Sequence, residues 1–233
     1  MIELIDSRNE NLWKRLNENY NISFLETDSI EYGCYSKNND VVFHISSNNR
    51  CKDSFTHEML HIYLRLNGSS IASGFKKTIN ESKILSYAMS EGLLEHIGNC
   101  LDHIKMLPMY LDMGFDRTKF IIDFAENKCI PSEINFLRKH YKIGKSINAK
   151  AFDIYFGKLL AILADPNPKI DYSKQIAELK KIDLLLFQII NEMVKHWQQI
   201  KIDNREVFDD NFNTVLVKFY ENMKKWISKN KLA

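Results

Sequence analysis

The sequence predicts an α+β chain that is mostly helical, with a small β-hairpin or sheet packed on one apolar helix and a helical C-terminal half after it. Three observations predict this. Two short runs rich in β-formers, residues 30–35 (IEYGCY) and 41–46 (VVFHIS), flank the turn-forming Asn38-Asn39-Asp40 and read as a hairpin. Residues 54–66 (SFTHEMLHIYLRL) then carry helical periodicity and end at Asn67-Gly68, a helix stop. From about Asp116 onward, each long segment repeats its apolar residues at helical spacing.

Each element has its own signal. Residues 8–20 form an amphipathic helix with Leu12, Trp13 and Leu16 inward. The strand before the 54–66 helix has an edge on which an extended peptide would add by strand pairing. A polar loop with Ser69, Ser70, Ser73, Gly74 and two lysines follows Gly68. A second long helix is expected over residues 81–106, stopped by Pro108, with Leu94, Ile97, Leu101 and Ile104 as its apolar stripe, flanked by Leu93 and Cys100. Its other side carries Ala88, Glu91, Gly92, Glu95, His96, Gly98, Asn99, Asp102 and His103. The small residues there let another helix approach closely.

Further helices are expected near 117–126, 132–141, 148–164, 172–200 and 206–229, separated by Pro131, Gly144, the Asp-Pro-Asn-Pro run at 165–168 and Ile202-Asp203-Asn204. The stripes of the last two (Leu184, Phe187, Ile190, Met193, Val194, Trp197; Val215, Phe219, Met223, Trp226) are read as core. The domain reading is a first region, 1–115, and a helical C-terminal region, 116–233, or one continuous domain.

Composition narrows the class. Formal charge is +2 with no dense Lys/Arg tract, so a nucleic-acid groove is not expected. Cys34, Cys51, Cys100 and Cys129 form no C-x-x-C pair, which fits a reducing cytosol. The N-terminus is charged from Glu3 onward, and no segment has the length of a membrane span. The expected location is cytoplasmic.

The chemistry lies in His57-Glu58-Met59-Leu60-His61, a complete H-E-x-x-H. On a helix, positions i and i+4 share a face, so both imidazoles reach one cation. Glu58 projects beside them, where a carboxylate can take a proton from an activated water. Catalytic zinc takes three protein ligands, and the third is expected from the second long helix. Glu95 ranks first, with Asn99 one turn on to hydrogen-bond a ligating histidine. Glu91 ranks second and His103 third; if His103 is not a ligand, it is placed to donate a hydrogen bond to an oxyanion. Tyr63, Tyr87 and Tyr110 are candidates to line a cleft or to pack the core.

H-E-x-x-H followed by Glu on a later helix is the gluzincin arrangement. Glu95-His96-Ile97-Gly98-Asn99-Cys100-Leu101, continuing to Leu107-Pro108, resembles the E-x-x-A-N-x-F segment and downstream L-x-P of the ImmA/IrrE family, intracellular bacterial and phage-linked zinc metallopeptidases. The resemblance spans roughly residues 24–110. It implies Zn²⁺ on His57, His61 and Glu95, Glu58 as general base, and a protein or peptide substrate. Asn99-x-x-x-His103-x-Lys105-Met106, followed by Gly114-Phe115, also resembles an uncharacterised group of zincin-like bacterial proteins in which the histidine matters. The expected function is zinc-dependent peptide hydrolysis. The alternative is a non-catalytic zincin-like module that binds protein, as in a regulator or defence system.

Overall fold

The computed structural model describes residues 2–68, 71–202 and 211–233. The chain is α+β and mostly helical, 61% helix, with ten α-helices and two small three-stranded sheets among the described residues. It divides into two compact units. The first comprises Met1–Ser69, Ile104–Ala125 and Ile202–Val207, and the second Ser70–His103, Glu126–Lys201 and Phe208–Ala233. The units therefore interleave along the chain and do not follow one another as 1–115 and 116–233.

The first unit begins with a 3-10 turn, Ile2–Leu4, followed by α1 (Glu10–Asn19), β1 (Asn21–Thr27), β2 (Gly33–Lys37), β3 (Asp40–Ser46) and α2 (Lys52–Leu66). β2 and β3 form the expected hairpin, with Lys37 opposite Asp40 and Asn38 in the left-handed region at φ 54°. An Asn there is the usual residue of a tight hairpin turn. β1 was not expected. It pairs with β3 in parallel from Asn21↔Asp40 to Thr27↔Ser46, giving the order β1-β3-β2, so β3 is central and β1 occupies the edge expected to take an added strand. Val41, Phe43 and Ile45 alternate inward from the central strand and meet Phe55, Met59 and Ile62 of α2. Leu4 and Leu16 complete this core, and Phe43 meets Phe55 edge-on at 5.1 Å.

The second long helix differs from its expected limits. Residues 81–106 are divided between α4 (Lys83–Ala88) and α5 (Glu91–Asp112), and the expected polar loop is largely α3 (Ile71–Asn80). Pro108 does not stop α5 but sits inside it. The stop is Gly114 at φ 84°: its N–H donates to Leu111 O, and Phe115 N–H donates to Tyr110 O. This bond pair, with the Tyr110 and Phe115 rings 5.0 Å apart, is a Schellman ending.

The second unit contains α6 (Pro131–His140), β4 (Lys142–Ile143), β5 (Ser146–Ile147), α7 (Ala149–Leu163), α8 (Ser173–Ile182), α9 (Leu184–Gln199), α10 (Asn211–Lys229) and β6 (Lys231–Leu232). The expected helix over 172–200 breaks at Asp183, whose Oδ1 accepts the Leu186 N–H and so caps α9. The segment expected to be helical at 117–126 holds only a short 3-10 turn, Arg117–Lys119, capped by Asp116. Part of the 206–229 expectation lies outside the described residues; the rest is α10. The two expected stripes are buried except Leu184, which is exposed. No described helix is long and apolar enough to cross a membrane.

Candidate metal centre

α2 is buried on two sides, which explains why its apolar residues surround the helix and do not form one stripe. Phe55, Met59 and Ile62 face the sheet. Leu60 and Leu64 pack with Met106, Tyr110, Phe115 and Phe120 in a second cluster. His57 and His61 are buried among these residues, 9% and 6% exposed, with their rings 5.0 Å apart and nearly perpendicular. Glu58, between them in sequence, is half-buried.

Two further contacts fix the helix beside the histidines. Asn9 is fully buried; its Nδ2 donates to Thr56 Oγ1 at 2.9 Å and to Leu4 O at 3.0 Å, and its Oδ1 accepts the Asp6 N–H at 2.8 Å. Thr56 immediately precedes His57, so this satisfied polar clamp sits one residue from the first imidazole. On the other side the Phe120 ring lies 4.9 Å from the His57 ring, and Tyr110 packs edge-on against Phe120 at 5.1 Å. The Tyr110 hydroxyl donates to Asp53 Oδ1 at 3.2 Å. Burial and the Asp53 carboxylate push that hydroxyl well above the usual tyrosine range, so it stays protonated and locked to α2.

The ligand atoms of His57, His61 and His103 all lie within 4.8 Å of one another. Among the described residues this is the cluster of His, Cys, Asp or Glu with metal-binding dimensions. Three imidazoles form a donor set suited to zinc and other first-row metals. Nitrogens on one tetrahedral zinc lie about 3.3 Å apart, so small side-chain rotations bring this group to ligand distance.

The other expected site residues lie elsewhere. Glu95, the first-ranked third ligand, is exposed and outside the cluster. Glu91 is exposed and paired with Lys76. Asn99 is exposed as well. The reason is helical arithmetic: Glu95 precedes His103 by eight residues, about 12 Å along the axis and about 80° around it. A helix that offers His103 to the H-E-x-x-H does not also offer Glu95. Of the tyrosines, Tyr110 is core, Tyr87 is exposed, and Tyr63 is half-buried under the Arg15 guanidinium. Asn9, Asp53 and Phe120 were not singled out from the sequence, since nothing local distinguishes them.

No protein-family model matches the chain, and no curated protein or solved structure matches it.

Proposed function

We propose that this chain is a zinc-dependent metallopeptidase of the zincin type, with His57, His61 and His103 holding the metal and Glu58 as general base. One observation carries the reading. Two histidines one helical turn apart, with a glutamate between them, share a tight cluster of ligand atoms with a third histidine from another helix. Three protein ligands leave a fourth position for water or substrate. A metal held there supplies Lewis-acid activation of water and of a carbonyl.

The chain's own residues do the rest. Glu58 accepts a proton from the attacking water and passes it to the departing amine. Phe120 packs against the His57 ring at 4.9 Å and shields that part of it from water. Tyr110, anchored on Asp53, backs Phe120 in turn. With His103 in place of Glu95, the third ligand departs from the gluzincin arrangement, while the H-E-x-x-H part of the ImmA/IrrE resemblance is kept.

The test uses zinc-loaded full chain and a random peptide library read by mass spectrometry. The parent is expected to release cleavage products. Glu58→Gln is expected to keep its zinc and lose at least about 10²-fold in rate, the scale of a general base. Equal cleavage by the Gln variant would remove Glu58 from the mechanism. No cleavage by zinc-loaded parent would turn the reading to the protein-binding module.

A further inference from the structure

The chain-wide charge of +2 conceals a segregation. The first unit carries 11 Lys/Arg against 15 Asp/Glu, and the second carries 21 against 15, so their net charges are −4 and +6. Within the second unit the excess is local. Residues 134–152 hold five Lys/Arg and residues 222–233 hold four, and neither segment contains an Asp or Glu.

The fold brings these two acid-free segments together. β4, β5 and β6 form one sheet, with Lys142↔Ile147 and Ser146↔Lys231 in register. Ala233 N–H donates to Ile147 O, and Ala149 N–H donates to Ala233 O, which closes the sheet onto the start of α7. Beneath it Asp183 Oδ2 accepts both the Tyr141 hydroxyl, just after α6, and the Trp226 indole N–H of α10, each at 3.0 Å. The platform is therefore fixed, and its lysines project from it.

Lys139, Lys142, Lys145, Lys150, Lys229 and Lys231 are all exposed. None of the six forms an ion pair among the described residues. Acids of the same unit are engaged elsewhere: Glu178 is held by Arg138 and Lys181, Glu133 by Lys158, and Asp183 by the Tyr141 hydroxyl and the Trp226 indole. Asp153 accepts the Ser90 N–H and hydroxyl. Gly144, at φ 61°, forms the hairpin tip between Lys142 and Lys145. Nothing within 4 Å would meet a side chain there, so backbone can approach a partner closely.

We infer that this surface binds the phosphate backbone of duplex DNA without sequence preference. Lysine ammonium groups are point-charge phosphate ligands, and unpaired lysines release counterions from a polyanion. Double-stranded DNA carries one phosphate charge per about 1.7 Å of axis, a dense and rigid row of anions that lysines fixed on one small sheet can meet together. Among the described residues the exposed tyrosines, Tyr35 and Tyr87, lie outside the patch, and its one surface ring pair, exposed His140 against Phe136 at 4.7 Å, is short of the run of stacking side chains that single strands use. Among the described residues of the two segments Ile143 is the one large exposed apolar side chain, too little apolar surface to anchor in a bilayer. The inference is independent of the metal centre.

The test is fluorescence anisotropy of the full chain with a labelled mixed-sequence duplex across a salt series. Vesicles rich in phosphatidylserine and an RNA duplex serve as separate arms. Replacing Lys142, Lys145, Lys229 and Lys231 with Gln is expected to weaken DNA binding at least about tenfold and to make the log–log salt slope shallower by about 3 to 4. A control replaces four lysines outside the patch (Lys76, Lys83, Lys169, Lys174) with Gln and is expected to change the slope by less than about 1. Circular dichroism verifies that both variants fold. Equal losses in both would overturn the surface, and so would no DNA binding by the parent. Tighter binding to vesicles or RNA than to DNA would overturn its assignment to duplex DNA.

Discussion

At the residue scale the metal centre turns on His103. Glu95 and His103 were both visible in the sequence as candidates on one helix, and local pattern could not choose between them. Two residues eight apart differ by about two turns of axial position, and only the placement of that helix decides which one reaches α2. The H-E-x-x-H pair needed no such information, because i and i+4 are set by the helix itself. Reactivity at single residues is similarly a matter of surroundings. Burial pushes the Cys129 thiol up to about 11, with Glu133 adding in the same direction. At neutral pH it is therefore almost wholly protonated, and a protonated thiol is a poor nucleophile. Iodoacetamide on the native protein should modify the half-exposed Cys34 and Cys51 well before Cys129, as peptide mapping by mass spectrometry would read. Early modification of Cys129 would mean that its site opens in the folded protein.

At the element scale, α2 is held from two directions, and its N-terminal anchor is polar. Asn9 satisfies Thr56 and Leu4 at once while fully buried, so Asn9→Ala leaves both groups short of a donor. The expected cost is about 1–3 kcal/mol in urea unfolding, with an additional fall in zinc affinity because Thr56 adjoins His57. A variant with parent stability would show that the clamp carries no energy. The elements hardest to read were those fixed by distant partners. β1 offers only Ile22 and Phe24 as an alternating signal, and exposed Leu25 interrupts it; its place comes from parallel pairing with β3. α3 contains Ser, Gly, Thr and Asn, poor helix formers, yet Phe75 and Ile79 are buried and Phe75 packs on Phe219. At Gly74 a Cβ would come within 3.0 Å of the Leu216 side chain, so the approach there uses the glycine. Pro108 misled in the other direction, because a Schellman ending at Gly114 outweighs a proline tolerated inside α5.

At the scale of the whole molecule, the class was legible and the partition was not. Mostly helical α+β followed from two β-rich runs and sustained 3.6-residue periodicity, and the structure has that class. The division into units passes through α5 between His103 and Ile104, and no composition shift marks such a point inside a helix. Charge was hidden for a related reason: a sum over the chain cancels −4 against +6, and only the folded grouping separates them. The claim on which the proposed function depends is the three-histidine metal centre. Its most direct test is elemental analysis of purified full chain after zinc loading and dialysis, comparing the parent with His103→Ala and Glu95→Gln. About one zinc per chain is expected in the parent and in Glu95→Gln, with zinc lost in His103→Ala. Zinc retained without His103 and lost without the Glu95 carboxylate would contradict it, and no zinc in the parent would remove the centre altogether.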